Sequence, residues 1–355
     1  MKLLLITDQH FGVRNDAQVF LDYFDRFYTD IIFPYIDKHN ITHVVDLGDT
    51  FDRRKYINYI TLKRAKEMWF DRLAERNVRP DCIIGNHTVY YKNTNEVNSM
   101  DLLVGDYPNL KIFKNTTEVN IDGLDLLYVP WINAENIGES TRIINETKAQ
   151  VLFGHLEIQG FQMYKGRVNK EHGETTDLFD KFDFVASGHF HHKSTQGNIH
   201  YLGAVAEYTW SDYNDPRGFH IFDTDTRKLR HHRNPYKMFH KVWYDDSEKT
   251  MEEICNQDFS RLKGAYGKVI ISKRDNPFWF DKFLDEIYKV EPQKIDIVDD
   301  HFNAHLEDDE DILDQAEDTA TILSKYVKGM QLVQGARQLD KLMQGLYNEA
   351  MNTME

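Results

Sequence analysis

The chain has 355 residues, 41% of them apolar, and a formal net charge of −15. That length allows about two domains plus a tail, and the apolar share is enough for a real core. Such an acidic chain is repelled by DNA at long range, which excludes a strong nucleic-acid binder acting through its own basic surface. No apolar run approaches the roughly 18 residues of a membrane-spanning helix, and two cysteines, Cys82 and Cys255, exclude a disulfide framework and fit a reducing cytoplasm.

The N-terminal "KLLLITDQH" has only Leu3 to Ile6 as an apolar stretch before Asp8 and His10. A secretory leader needs about 7–15 apolar residues, so this segment predicts a first β-strand. Residues 17–33 read as a helix. "HVVDLGD" is a second short strand ending in Asp49, and 61–76 is a second helix, with Leu62, Ala65, Met68 or Trp69, and Leu73 at helical spacing. "DCIIGNH" ends in Asn86 and His87, "AQVLFGH" in His155, and "FDFVASGHFH" in His189 and His191. Apolar runs of this length fit strands buried on both faces. Their alternation with helices predicts an α/β core over residues 1–235, in which ligands gather beyond the carboxyl ends of the strands.

Residues 236–300 predict a smaller unit, with "GKVIISKRD" as a strand and "PFWFDKFLDEIYKV" as a helix. Residues 301–311 include five consecutive acids, Glu307 to Asp311, and read as a solvated linker. Residues 312–355 carry two helical patterns. In the second, Leu332, Ala336, Leu339, Met343, Leu346 and Ala350 recur at the spacing of a narrow coiled-coil seam.

Five strand ends each carry Asp, His or Asn, and every one of those groups costs free energy near a core unless it is paired or liganded. Asp8 and His10 are two apart, as are His189 and His191. On an extended strand end each such pair points to one side. Glycine precedes Asp49, Asn86, His155 and His189, where it lets the chain approach a ligand closely. The donors are oxygen and nitrogen with no thiolate, which favours Mn, Fe or a similar octahedral ion over structural zinc. Seven ligands are too many for one ion with open positions, whereas two ions sharing a bridging carboxylate satisfy the count.

The motifs "DQH" at 8–10, "GDTFD" at 48–52, "GNH" at 85–87, "GH" at 154–155 and "GHFH" at 188–191 resemble those of the calcineurin-like metallophosphoesterases. More narrowly, "DQHFG", "GDTFDRRK", "VPWI", "SGHFHH" and "NDPRGFHIFDT" are similar to the SbcD-type nucleases of double-strand-break repair, nearest the nuclease subunits of T4-type phage recombination complexes. The resemblance covers about residues 1–235. It implies a four-layer α/β/β/α sandwich, a small α+β capping domain for DNA recognition over 236–300, and a C-terminal helical tail that binds a partner.

It further implies an exo- and endonuclease active on DNA in recombination, repair and replication, with two Mn²⁺ (Mg²⁺ the alternative). Asp8, His10, Asp49 and His191 resemble the ligands of the first ion. Asp49, Asn86, His155 and His189 resemble those of the second, with Asp49 bridging. His87 matches the catalytic histidine, which stabilises the transition state and helps protonate the leaving 3′ oxygen. The implied partner is an SbcC-like ATPase bound through residues 312–355, with a homodimer inside a heterotetramer and no membrane. If the chain is phage-encoded, the compartment is the host cytoplasm. The competing readings are a phosphatase or cyclic-nucleotide phosphodiesterase of the same fold, and a non-enzymatic scaffold.

Asp52, Arg53, Arg54 and Lys55 are candidate contacts for substrate phosphates. Tyr91, with Tyr90, either stacks on bases or packs beneath its loop. His192 points away from the metal positions on a strand-like path. One departure stands out: the family reads "GNHD" and this chain "GNHT". Thr88 is expected to orient His87 through its hydroxyl without supplying charge, unless Asp52 or Glu96 provides it.

Overall fold

The computed structural model describes residues 1–170 and 172–299. The acidic linker and the helical tail therefore lie outside the described residues. In chain order the strands are β1 Lys2–Ile6, β2 His43–Asp46, β3 Arg79–Ile83, β4 Lys111–Phe113, β5 Thr117–Ile121, β6 Leu124–Val129, β7 Val151–His155, β8 Gln162–Tyr164, β9 Arg167–Val168, β10 Phe184–Gly188, β11 Ser194–Gln196, β12 Ile199–Tyr201, β13 Gly218–Asp223, β14 Leu229–Arg233, β15 Phe239–Asp245, β16 Tyr266–Lys273 and β17 Lys294–Asp299. Two six-stranded sheets result, ordered β14-β13-β1-β2-β3-β4 and β11-β12-β10-β7-β6-β5.

The central strands of both sheets are buried on both faces, as their unbroken apolar runs predict. Leu3, Leu5, Val45, Phe153 and Phe222 meet between the sheets. On the outer side of the first sheet, Leu4, Ile6 and Val44 pack under Phe24, Tyr28 and Trp69 of two helices. On the outer side of the second, Leu127, Leu152 and Val185 pack under Ile144 and Phe179. This is the four-layer α/β/β/α sandwich. No helix among the described residues is long and apolar enough to cross a membrane.

Both covering helices run through a wide π turn, Tyr28–Ile32 and Lys66–Phe70, where the rings of Tyr28 and Trp69 meet at 5.0 Å. The first helix does not stop at residue 33, the end of the predicted span; it continues over Phe33–His39. Phe33 N–H bonds back to Tyr28 O, and Pro34 falls in the first turn of the renewed α-helix, where a missing N–H costs little. Beyond the sandwich, β15-β16-β17 form a separate parallel sheet. Its Val242, Tyr244 and Val269 pack on Ile254 and on Phe283 of the helix Pro277–Tyr288, a core of its own.

At one edge the layer between the sheets turns polar. His220 on β13 pairs with the inward-facing Leu5, His231 on β14 pairs with His220, and His200 on β12 pairs with the inward-facing Ala186. The His220 and His231 rings lie 4.7 Å apart, and His231 Nε2 is buried without a hydrogen-bond partner among the described residues. Burial, then Lys193 and His232, pushes His231 down to about 4; burial and the same basic neighbours hold His220 well below its ordinary value. An unfolded chain protonates these imidazoles near pH 6.5 while the folded one resists. Stability is therefore full above about pH 6.5 and falls as the pH drops toward 4. Thermal melts of apo protein across that window should show His231→Gln losing less stability with acid than the unsubstituted chain; parallel slopes would count against it.

Candidate metal centre

The strand ends predicted to carry ligands converge at one end of the sandwich. Four of the key residues are not extended, whereas His155 closes strand β7. Asp8, His10, Asp49 and His189 have φ of 50, 47, 54 and 84°, all left-handed. The same-side alternation expected for Asp8 with His10, and for His189 with His191, is thus corrected: the strands stop at Ile6 and Gly188, and left-handed turns aim the side chains. Strain of this kind costs about 1–2 kcal/mol per residue and concentrates at working sites. Gly85 is required by close approach, because a Cβ there would lie 2.2 Å from Asp49 Oδ1. Gly48 combines φ of 104° with His155 Nδ1 at 2.5 Å from a would-be Cβ.

Among the described residues three donor groups form, two of them built from predicted ligands alone. In one, Asp8, His10 and His191 bring their donor atoms within 4.8 Å of one another. His10 Nε2 and His191 Nε2 are 3.1 Å apart, each 3.9 Å from Asp8 Oδ1. In the other, Asp49, His155 and His189 converge. Asn86 Oδ1 lies 3.0 Å from His155 Nε2 and 2.9 Å from His189 Nδ1. Asp49 Oδ2 is 3.2 Å from His155 Nε2 and 4.0 Å from His10 Nε2, between the groups.

The outer hydrogen bonds orient the rings. His10 Nδ1 meets Asp52 Oδ1 at 3.1 Å and His155 Nδ1 meets the Leu47 carbonyl at 2.7 Å, which leaves both Nε2 atoms facing the centre. Burial, then the neighbouring histidines, pushes His189 down to about 3 and His191 well below its ordinary value, so both offer lone pairs. Burial alone would raise Asp49, but His155, His87 and His10 hold it well below the usual carboxylate range. His155 is lifted to about 9 by Asp49 against its own burial. Facing imidazole nitrogens beside buried carboxylates ask for cations, and this oxygen and nitrogen donor set fits divalent ones.

His87 donates its main-chain N–H to Asp49 Oδ1 at 2.8 Å, and its Nδ1 meets the Asp52 carbonyl at 2.7 Å. Its ring stands edge-on to His10 at 4.8 Å. Thr88 does not orient it. The threonine hydroxyl donates to the Gly85 carbonyl at 2.9 Å and accepts from Gly85 N–H at 3.1 Å, closing the turn. The nearby acid is Asp52, whose carboxylate groups with His10 and His87; Glu96 instead pairs with Lys114 at 2.9 Å.

Asp52 is thus placed beneath His10. Arg53 is on the cleft wall with His10, His87 and His191, held by Asp16 at 3.0 Å and Asn15 at 2.7 Å. Arg54 is half-buried, with a buried Nη1 that has no hydrogen-bond partner among the described residues. Lys55 lies over the Tyr90 ring, and both Tyr90 and Tyr91 are exposed rather than packed under their loop. His192 turns from the centre to Asp215 at 2.9 Å.

Sequence reasoning missed several supports. Buried Asp46 accepts from Gln9, Thr50 and Gly48 N–H, tying the first two ligand loops together, and burial lifts it to about 7. A charged residue inside the apolar run "HVVD" was the available signal. Trp131 of "VPWI" lies 5.1 Å from the His189 ring, and Tyr208 stands behind His10 and His191 at 5.5 Å from each.

A four-layer sandwich whose strand ends gather this cluster is a metallophosphoesterase, a metal-dependent phosphodiesterase. No family model matches the chain. It is 33% identical over 294 residues to Exonuclease subunit 1 of Enterobacteria phage T4, covering 82% of each chain. It is 30% identical over 101 residues to the SbcD component of the SbcCD nuclease of Staphylococcus epidermidis, 27% of each. Among solved structures, an archaeal phosphodiesterase matches 66% of this chain and 99% of its own, at 12% identity and a TM-score of 0.33. The chain belongs to the SbcD-type nucleases of recombination and repair.

Proposed function

We propose that the chain is a Mn²⁺-dependent DNA exo- and endonuclease, the nuclease subunit of an SbcCD-like complex serving recombination, repair and replication. The observation that carries the two-ion reading is Asp49 Oδ2, which reaches from the His155 group to the His10 group. Asp8, His10, Asp49 and His191 hold one ion; Asp49, Asn86, His155 and His189 hold the other. Mg²⁺ can substitute. When bound, the ions supply an activated water and neutralise charge on the phosphate.

The protein's own groups do the rest. His87 projects into the cleft shared with Asp52 and Arg53, where it stabilises the developing charge and returns a proton to the leaving oxygen. Arg53 grips a neighbouring phosphate. Arg54, Lys55 and Tyr91 extend that surface toward the DNA. Tyr266 of the small sheet lines the same cleft, which supports residues 236–300 as a capping domain over the substrate.

Tyr56 and Leu102 are largely exposed and line one hollow with Val97 and Tyr90, beside the exposed Tyr59 and Ile60 on the first turn of a neighbouring helix. Exposed apolar side chains gathered around one hollow mark an interaction surface, and they support a homodimer. The ATPase partner docks on residues 312–355 and supplies the DNA-binding surface that a chain of net charge −15 lacks.

The test is purified full-length protein with Mn²⁺ on linear duplex, single-stranded DNA and p-nitrophenyl phosphate derivatives, with and without the ATPase. Metal-dependent DNA cleavage, enhanced by the partner, is expected. Turnover of the small esters with no DNA cleavage under any condition would favour the phosphatase reading, and no turnover of any substrate a scaffold.

A further inference from the structure

The motif "NDPRGF" lies in the segment joining β12 to β13 and contributes nothing to the donor groups themselves. It places Asp215 and Arg217 with Asp212 of the preceding turn, all buried, directly behind His191. Arg217 Nη2 donates to Asp212 Oδ1 at 2.6 Å and lies 3.0 Å from Asp215 Oδ2; Nη1 donates to the His191 carbonyl. Asp215 Oδ2 also meets His192 Nδ1 at 2.9 Å.

Asp212 Oδ2 accepts from the main-chain N–H of Tyr208 at 2.7 Å and of Thr209 at 3.0 Å. Tyr208 in turn directs its hydroxyl at the Asp8 carbonyl, 2.5 Å away, with the Gln9 carbonyl at 3.1 Å. One guanidinium therefore ties together both limbs of the Asp8, His10 and His191 group. No hydrogen bond among the described residues runs directly from Arg217, Asp212, Asp215 or Tyr208 to Asp49, Asn86, His155 or His189; the two groups meet only further on, where Asp8 accepts His189 N–H at 3.1 Å and His10 N–H donates to the Asp49 carbonyl at 2.9 Å.

A buried ion cluster is weak evidence for stability, because desolvation offsets most of its attraction. Its attachments give it another purpose. Each branch ends on the main chain of a ligand, on the imidazole next to one, or on the tyrosine packed against two.

We propose that Arg217 is a positioning residue for the first metal position. It holds His191 through the main chain, His192 through Asp215, and Asp8 with His10 through Asp212 and Tyr208. It thereby sets the affinity of that position without altering the other. The inference rests on the two-ion reading of the centre.

Mn²⁺ titration of the full chain, followed by the electron paramagnetic resonance of free and bound ion, separates the two. The unsubstituted protein reports the two-ion reading by binding two ions. Arg217→Lys keeps the charge but loses the fork that reaches three acceptors. It should weaken one site about 10–100-fold, the usual cost of an outer hydrogen-bond partner, and leave the other within about twofold. Asp215→Asn, which spares the Arg217–Asp212 pair, should weaken the same site and decides the matter if Arg217→Lys fails to fold.

Imidazole nitrogen shifts of His191 and His192 in the metal-free variant should move while those of His155 stay. Equal loss at both sites, or no loss in a folded variant, overturns the role of Arg217. A single ion in the unsubstituted protein removes the two-ion reading and this inference with it.

Discussion

Asp49→Ala should abolish binding of both ions, not one, and lower Mn²⁺-dependent DNA cleavage by more than about 10⁴-fold. The carboxylate approaches both donor groups, at 3.2 Å from His155 Nε2 and 4.0 Å from His10 Nε2. It also fixes the "GNH" turn by accepting His87 N–H. Its loss would take an oxygen donor from both groups, and with it a buried negative charge that would offset cations held there, since Coulomb attraction is strong in a buried site. His155 loses the partner that lifts it to about 9 and reverts toward a neutral, burial-lowered ring.

The measurement need not depend on activity. A ligand that binds only the folded state raises the melting temperature by mass action, about 2.7 kcal/mol at a hundredfold excess over its Kd. Mn²⁺ should raise the melting temperature of the unsubstituted protein and leave Asp49→Ala unmoved. Asp49→Asn, which keeps an acceptor for His87 N–H, should fold like the parent and still lose the metal shift. An Asp49→Ala protein that retains two ions and its cleavage rate would falsify the bridging assignment.

Much of this centre was legible because polar residues at the ends of short apolar runs have few structural uses. The runs Leu3–Ile6, Val44–Leu47, Cys82–Ile84 and Val151–Phe153 announced strands buried on both faces, and the residues after them announced what the strands present. What lay hidden depends on contacts distant in sequence or on backbone handedness. Tyr208 reaches Asp8 across 200 positions, and Arg217 reaches His191 across 26. The left-handed turns at Asp8, His10 and Asp49 follow from the need to converge on one point, not from local propensity.

The first helix runs past its predicted end at residue 33 because a π turn makes room for Pro34. In the small unit β15 and β17 escaped notice. "FHKVWYD" and "KIDIVD" mix charges into alternating strands that expose one face, so neither carries the continuous apolar run that marked the sandwich.

His87→Asn should reduce DNA cleavage by about 10²–10⁴-fold, the range of a lost general acid–base group, with both ions and DNA binding retained. The ring is fixed from outside the donor groups. Nδ1–H donates to the Asp52 carbonyl at 2.7 Å, and the edge-on contact with His10 holds the plane. That leaves Nε2 free for the cleft shared with Arg53 and His191.

The same contacts reverse the expectation for Thr88. Its hydroxyl is spent on both polar groups of Gly85, inside a turn where Gly85 already crowds Asp49. A carboxylate in that place cannot donate to the Gly85 carbonyl and would set its negative charge against that oxygen's partial negative charge. Thr88→Asp should therefore lower the melting temperature, by several degrees if about 1–3 kcal/mol of unsatisfied buried polarity results. The pH profile of cleavage should stay where it was.

Supporting charge near His87 comes from Asp52, which burial pushes up but His10 and His87 hold below its ordinary value. Asp52→Asn is accordingly the substitution that should shift the pH profile. The pair decides between the two accounts. If Thr88→Asp speeds cleavage near neutral pH while Asp52→Asn changes nothing, position 88 tunes the histidine after all. The opposite result places that tuning at Asp52.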